Sequence, residues 1–316
     1  MHRIGYVLPE GFQVMTFSTQ PVFEFANLLA RRTVYEVENY ALGGGAVRSS
    51  FGLTVRARML TARSSADTWM VAGVIDPLAT SIEPALLRLV DKLGGRSQRT
   101  CGLCTGSFVL ADAGLLEGRR ATTHWYWADA LQQRHPAVQV EADRIYVTDG
   151  PVWTSAGMTA EIDLALGLVE MDLGAEIARS VAHRLVMHQR RSGGQSQHSE
   201  MLKLAPKSDR IQQALEHARR HLDHSLSVEE LADVAHLSPR QFSRVFAAET
   251  GQSPAKAVEG LRIEAARLML ESSRHPVEVV AKETGFRDRR HLREAFMRGF
   301  GVPPQAVRRE ARMPRS

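Results

Sequence analysis

Two groups of residues carry side chains able to do chemistry at meaningful spacing. Arg240, Ser243 and Arg244 share the outward face of Ser238-Pro-Arg-Gln-Phe-Ser-Arg-Val-Phe246, while Phe242, Val245 and Phe246 take the inward face. A guanidinium offers paired donors that match both acceptors on the guanine edge, and neighbouring donors can hold phosphates. The second group is Cys104, followed by Gly106, with His124 as the nearest base in sequence. A cysteine attacks as the thiolate and needs a base within hydrogen-bond reach.

Around the arginines the chain reads as two short helices joined by a tight turn. Ser227 and Glu230 form a capping box, and Val228, Leu231, Ala232 and Ala235 follow at helical spacing. Ser238 caps the second helix with Pro239 in its first position, Gln241 completes another capping box, and Gly251 supplies a left-handed stop. Shifted by fifty residues, the pattern returns. Ser238, Phe242, Phe246, Gly251 and Pro254 meet Asp288, Leu292, Phe296, Gly301 and Pro304. The second copy's first helix is Val277 to Thr284, with Gly285 at the turn and Arg289, Arg290 and Arg293 facing outward. Between the copies, a helix predicted from Pro254 to about Ser272 is apolar at Ala257, Leu261, Ala265, Leu268 and Met269. Such a rod spans roughly 28 Å. It could hold two reading helices about one DNA turn apart, near ~34 Å.

These residues resemble the AraC/XylS family of bacterial transcription factors. The match rests on Leu231-Ala232, Ser238-Pro239, Phe242 to Phe246, Gly251, Pro254, Gly285-Phe286, Phe296 and Phe300 to Pro304, over about residues 208 to 312. Glu294 stands where the second reading helix of that family often carries a basic residue, so the first helix is expected to dominate base readout.

The first two hundred residues alternate short apolar strands with helices, which implies a mostly parallel sheet covered on both faces. Strands are predicted at Ile4–Leu8, Tyr35–Leu42, Trp69–Val74 and at Thr100 to Cys104; a hairpin joins Tyr146–Asp149 to Val152–Ser155. Helices are predicted at Pro21–Ala30, Glu83–Leu93, Thr159–Met171 and Glu176–Arg190. The last of these would close the domain or pair with a second subunit. Cys104 sits where a strand turns into a helix, a position at which backbone amides favour a thiolate. Two readings follow: a nucleophile, with no orienting carboxylate evident for His124, or the floor of a ligand crevice. Cys101, inside the strand, reads as a small buried apolar residue.

The same region resembles the class I glutamine amidotransferase-like superfamily, in the PfpI-type form that GlxA-like regulators fuse to arabinose-type helix-turn-helix pairs. The carriers are Pro21 to Asn27, Val47 to Gly52, Cys104 to Trp125 and Arg191 to Gln197. Enzymatic relatives place a His after the nucleophile and a carboxylate after the first strand; here Thr105 and Phe17 hold those positions. The resemblance therefore implies a pocket that senses rather than cleaves, with Cys104 and His124 as vestiges of a catalytic pair. Relatives answer to small nitrogenous metabolites, so an amino acid, betaine or amide is the expected effector. Its lining is assigned to Phe17, Glu24, Gly73, Val74, Cys104, Thr105, His124 and Trp125, with Phe17 and Trp125 able to face a cation.

Length and charge agree with two parts. The 316 residues carry 44% hydrophobic residues and two cysteines, too few for a disulfide framework. The excess of positive charge lies wholly at residues 207–316, with 20 Lys and Arg against 15 Asp and Glu. That is the balance expected of a phosphate-facing domain. No run is apolar enough to span a membrane and Met1 leads straight into a strand, so a cytoplasmic protein is expected. The division predicted is an α/β effector-sensing domain at 1–190, a polar, glycine-bearing linker at 191–207 and a helical DNA-binding domain at 208–316. His217, His221 and His224 share a helical spacing but lack further ligands, and read as a solvated face; no metal and no cofactor are expected. The expected partners are double-stranded DNA, the effector, RNA polymerase and further copies of the chain.

Overall fold

The computed structural model describes residues 1–187, 191, 193, 197, 204 and 206–312, and the chain divides into two compact units meeting at Gln197 and His198. Among the described residues of the first unit, ten strands are formed: β1 (His2–Val7), β2 (Tyr35–Ala41), β3 (Gly45–Arg48), β4 (Thr54–Met59), β5 (Thr68–Val71), β6 (Arg99–Gly102), β7 (Arg120–Ala121), β8 (Gln139–Val140), β9 (Tyr146–Asp149) and β10 (Val152–Ser155). Eight build one sheet in the order β3-β4-β2-β1-β5-β6-β10-β9. The interior pairs are parallel, and only the outer pairs β3–β4 and β9–β10 are antiparallel.

Parallel strands need crossover helices, which cover both faces. One face is covered by α1 (Gln20–Ala30), α5 (Met158–Leu173) and α6 (Ala175–Arg184), which bury Phe23, Leu164 and Val181 against Tyr6, Met70 and Trp153. The other is covered by α2 (Pro84–Gly94), α3 (Gly106–Asp112) and α4 (Ala128–Arg134), with Leu86, Phe108 and Leu131 packed on Trp69 and Val71. The helix expected to reach Arg190 ends at Arg184, after which Val186 takes a left-handed φ of 56°. It packs on α1 and α5 and so closes the domain; His188, expected on its apolar face, lies outside the described residues.

Three residues of the expected linker lie against the first unit. Arg191 pairs with buried Asp163 at 2.8 Å. Gly193 lies against Tyr146 so closely that a Cβ would come within 2.5 Å of its carbonyl oxygen. The Gln197 side chain donates to the carbonyls of Thr123, Ala142 and Arg144 at 2.8–3.0 Å and accepts from the Trp125 N–H at 2.8 Å.

The second unit is helical: α7 (Asp209–Arg220), α8 (Val228–Val234), α9 (Pro239–Thr250), α10 (Pro254–Ser272), α11 (Val277–Glu283), α12 (Arg289–Phe300) and α13 (Pro304–Arg312). It has two cores. Leu215, Leu231, Phe242 and Phe246 close one, and Val280, Phe286, Leu292 and Phe296 the other. The helix α10 serves both, and not through the single stripe expected. Ala257, Val258 and Leu261 enter the first core, while Ile263, Ala266 and Leu270 enter the second. At about 100° per residue these two sets lie on nearly opposite sides of the rod. Ala265, Leu268 and Met269 are only half-buried, because a helix shared by two cores must turn a different stripe to each.

The two motifs also touch directly. Arg262 on α10 donates to the carbonyl of Leu222 at 3.0 Å and to that of His224. Gly285, at φ 73°, approaches the same Leu222 oxygen so nearly that a Cβ would lie 1.9 Å from it.

Candidate effector site and nucleic-acid interface

In the first unit the strand-to-helix elbow is real, and it is strained. Cys104 adopts a φ of 52°, a region costing a non-glycine residue about 1–3 kcal/mol. Its surroundings fix it there. Thr123 Oγ1 donates to the Cys104 carbonyl at 2.9 Å, and Thr105 Oγ1 donates to the Val74 carbonyl at 2.6 Å. Gly73 allows this approach, since a Cβ there would meet Thr105 Oγ1 at 2.1 Å.

At this elbow, burial acts against the thiolate that a place before a helix favours. Burial, with Cys104 only 3% exposed, pushes the thiol up to about 12, and the nearby Glu161 carboxylate pushes the same way; a backbone N–H at Thr105 opposes them weakly. Desolvation outweighs the donors of one helix turn. Cys101 is likewise pushed up to about 12 by burial and is a core residue.

Glu161 is the site residue that sequence reading missed. It lies in the first turn of α5, is 0% exposed, and takes a hydrogen bond from Ser18 Oγ at 3.3 Å on Oε2. Burial pushes its carboxyl up to about 8, against the pull of the Ser18 hydroxyl. The signal was an acid one turn inside a helix whose neighbours, Ala160, Leu164 and Ala165, are all core-facing.

The other assigned lining residues divide. Gly73, Val74, Cys104 and Thr105 are brought together and buried. Phe17 is half-buried, its ring 5.5 Å from that of Phe12 and 5.8 Å from that of Tyr6. His124 lies against Gly157, just before α5, and its Nδ1 accepts from the Tyr126 N–H at 3.3 Å. Trp125 is 50% exposed. Glu24 is misplaced by the sequence reading. It is exposed on α1 and lines a separate groove of about 270 Å³ with Phe23, Asn27 and Tyr35. Tyr35 opens β2, at the amino edge of the sheet, whereas Cys104 follows the carboxyl end of β6.

In the second unit, α8 and α9 make the expected helix pair. Ser238 and Gln241 close a full capping box at α9, and Gly251 ends it at φ 74°. Ser227 caps α8 through its hydroxyl, but Glu230 does not return the bond expected of it. Its carboxylate binds His217 at 2.9 Å instead, because α7 packs alongside. His221 Nδ1 is bonded to the His217 carbonyl, and no His, Cys, Asp and Glu cluster suited to a metal occurs among the described residues. Arg240 and Arg244 are exposed and Ser243 half-buried.

In the second motif, Arg289, Arg290 and Arg293 are exposed on α12. Arg289 pairs with Glu278 at 3.1 Å and Arg290 with Glu294 at 2.9 Å. The repeat is not a uniform shift of fifty. Leu237 and Phe286 make the same backbone bond, to Ala232 and Ala281, and are 49 apart; Ser238 and Asp288 are 50 apart. The second turn therefore holds one extra residue, Arg287.

A parallel α/β unit with a buried cysteine elbow is followed by paired helix-turn-helix motifs of the kind that bind DNA. The chain belongs to the DJ-1/PfpI family, which it matches over residues 8–171, and its residues 231–310 match a helix-turn-helix domain family. It is 32% identical to the HTH-type transcriptional regulator GlxA of Rhizobium meliloti, over 98% of this chain and 97% of that protein. It is 31% identical to the HTH-type transcriptional regulator CdhR of Pseudomonas aeruginosa, over 96% and 90%. An AraC family transcriptional regulator from Pseudomonas putida superposes with a TM-score of 0.53 at 26% identity, over 58% of this chain and all of that one. No helix among the described residues is long and apolar enough to cross a membrane.

Proposed function

We propose that the chain is a transcriptional activator whose first unit binds a small nitrogenous metabolite (an amino acid, betaine or amide) and does not turn it over. Binding biases how the helix-turn-helix unit sits on DNA, which requires unequal affinity for the competent and incompetent arrangements. The chain acts in the cytoplasm as a homodimer or larger assembly beside RNA polymerase. Residues 1–190 supply sensing, 191–207 the connection and 208–316 the DNA contacts. Arg240, Ser243 and Arg244 read bases, with Arg289, Arg290 and Arg293 as the second contact.

One observation carries the sensing reading: the thiol at the position of a nucleophile is only 3% exposed, and that burial opposes its ionisation. Burial disfavours the thiolate, which is the form that attacks. The bonds of Gln197 support the coupling, since they tie the chain just before the second unit to Thr123, whose hydroxyl holds the Cys104 carbonyl. An amidase and a Cys104 oxidation switch are the competing readings. Cys104→Ala separates them: metabolite-dependent transcription is expected to stay within about twofold of the wild type. Its collapse, with DNA binding intact, would favour hydrolysis or thiol chemistry.

A further inference from the structure

Among the described residues, three buried polar atoms along the carboxyl edge of the sheet lack a hydrogen-bond partner: Glu161 Oε1, Gln13 Oε1 and Ser155 Oγ. Topology brings their residues to the same edge. Ser155 ends β10, and Gly157, two residues on, opens α5, whose first turn carries Glu161. Gln13 is bonded through its N–H to the Gly73 carbonyl at 2.9 Å, and Gly73 lies against Thr105 beside the cysteine elbow. Ser18 reaches both the Met158 carbonyl and Glu161 Oε2. Leaving a buried polar atom unbonded is costly, and such groups are rare in native proteins without a reason.

We propose that Glu161 recognises the effector, taking a nitrogen cation that bears N–H hydrogens, a protonated amine or guanidinium, with Gln13 and Ser155 completing its hydrogen bonds. The inference rests on the effector reading of this unit and narrows it. Gln13 Oε1 is an acceptor only, and an ionised Glu161 is another, so the ligand must donate. A trimethylated nitrogen carries charge but no donor, and would leave Gln13 unbonded. A carboxylate in the same place would meet Glu161 as a like charge. The titratable groups facing Glu161 do not compete for the cation: the Cys104 thiol and the Tyr6 phenol are both raised by burial and by Glu161 itself, and stay neutral. The His124 ring faces Gly157, the residue before α5.

A pH signature follows. Without ligand, burial pushes the carboxyl up to about 8. A cation is bound by the ionised form, so binding at pH 7 releases close to one proton. Affinity rises as pH climbs from 6 toward 8 and levels off above that.

The test uses the full chain and isothermal titration calorimetry with four matched probes: propylguanidinium, propylammonium, propyltrimethylammonium and butyramide. The first two are expected to bind at least tenfold more tightly than the last two. They should release about one proton at pH 7, seen by comparing buffers of different ionisation enthalpy. Glu161→Gln should lose at least tenfold for the two N–H cations, together with the pH dependence. Equal binding of the trimethylated probe, or unchanged affinity and proton count in Glu161→Gln, would overturn the assignment and leave ordered water as the sole partner of the three atoms. The wild-type pH profile decides the question even if the variant fails to fold. Binding of butyramide alone would sink this inference while sparing the effector reading. Absence of binding by these probes and by a wider set of amino acids, betaines and amides would sink both.

Discussion

The two helix-turn-helix motifs share a backbone and differ in their charges. Each has a capped second helix closed by a left-handed glycine, and each buries two large residues one turn apart: Phe242 and Phe246, then Leu292 and Phe296. Their outward faces have diverged. Arg240 and Arg244 have no carboxylate within salt-bridge distance among the described residues, whereas Arg289 and Arg290 are held by Glu278 and Glu294. An arginine already engaged must give up its carboxylate to reach a base, and the freed acid then faces the phosphates. The fold has been duplicated with its packing kept, and base readout is expected to rest mainly on the first copy.

The largest effect expected concerns how the copies are joined. Gly285→Ala would place a methyl 1.9 Å from the Leu222 carbonyl and 2.6 Å from Arg262 Nε, in a backbone region that already disfavours alanine. It should cost about 3 kcal/mol or more. Gly301→Ala has a similar φ of 68° but no neighbour within 4 Å, and should cost about 1 kcal/mol. Urea unfolding of the full chain, followed by helical signal, measures both. Similar costs would mean that the contact between the copies is irrelevant. Next comes Arg244→Ala, expected to weaken operator binding by about 1–3 kcal/mol and to relax the preference at one base pair. Arg290→Ala is expected to weaken specific and random duplex alike. Competition binding at fixed salt distinguishes them, and equal loss on both duplexes for Arg244→Ala would remove its base-reading role.

The sequence was most legible where local rules act alone. Ser238, Pro239, Gln241 and Gly251 announce a helix's ends through caps within a few residues, and the structure keeps each of them. Glu230 was misread because its partner, His217, comes from a helix thirteen residues away. The central helix was misread for a similar reason, since periodicity shows one apolar face but not that two cores divide it. The strand-to-helix elbow at Cys104 was visible, yet its electrostatics were not. Whether donors or burial decide a thiol's state depends on Glu161, 57 positions later in the chain, and on everything that excludes water there. Glu24, assigned to the pocket, lies elsewhere because a helix places consecutive residues on different faces, and sequence likeness does not say which face meets the site.

The smallest effect expected tests the turns themselves. His236 occupies the left-handed position, at φ 53°, that Gly285 fills in the second copy. Its N–H bonds to the Asp233 carbonyl at 3.0 Å as that of Gly285 does to Lys282 at 3.1 Å, so the two residues do the same backbone work. A histidine there carries strain of about 1–2 kcal/mol. Glycine would relieve it, offset by about 0.5–1 kcal/mol for the greater freedom of the unfolded chain. His236→Gly should therefore stabilise the helical unit by roughly 0.5–1 kcal/mol, read as a higher midpoint in the same urea titration. The gain would not extend to the junction between the copies, because His236 is exposed whereas Gly285 is pressed against Leu222. A loss of stability instead would mean that the imidazole makes a contact worth more than the strain, and the first turn would no longer be a free version of the second.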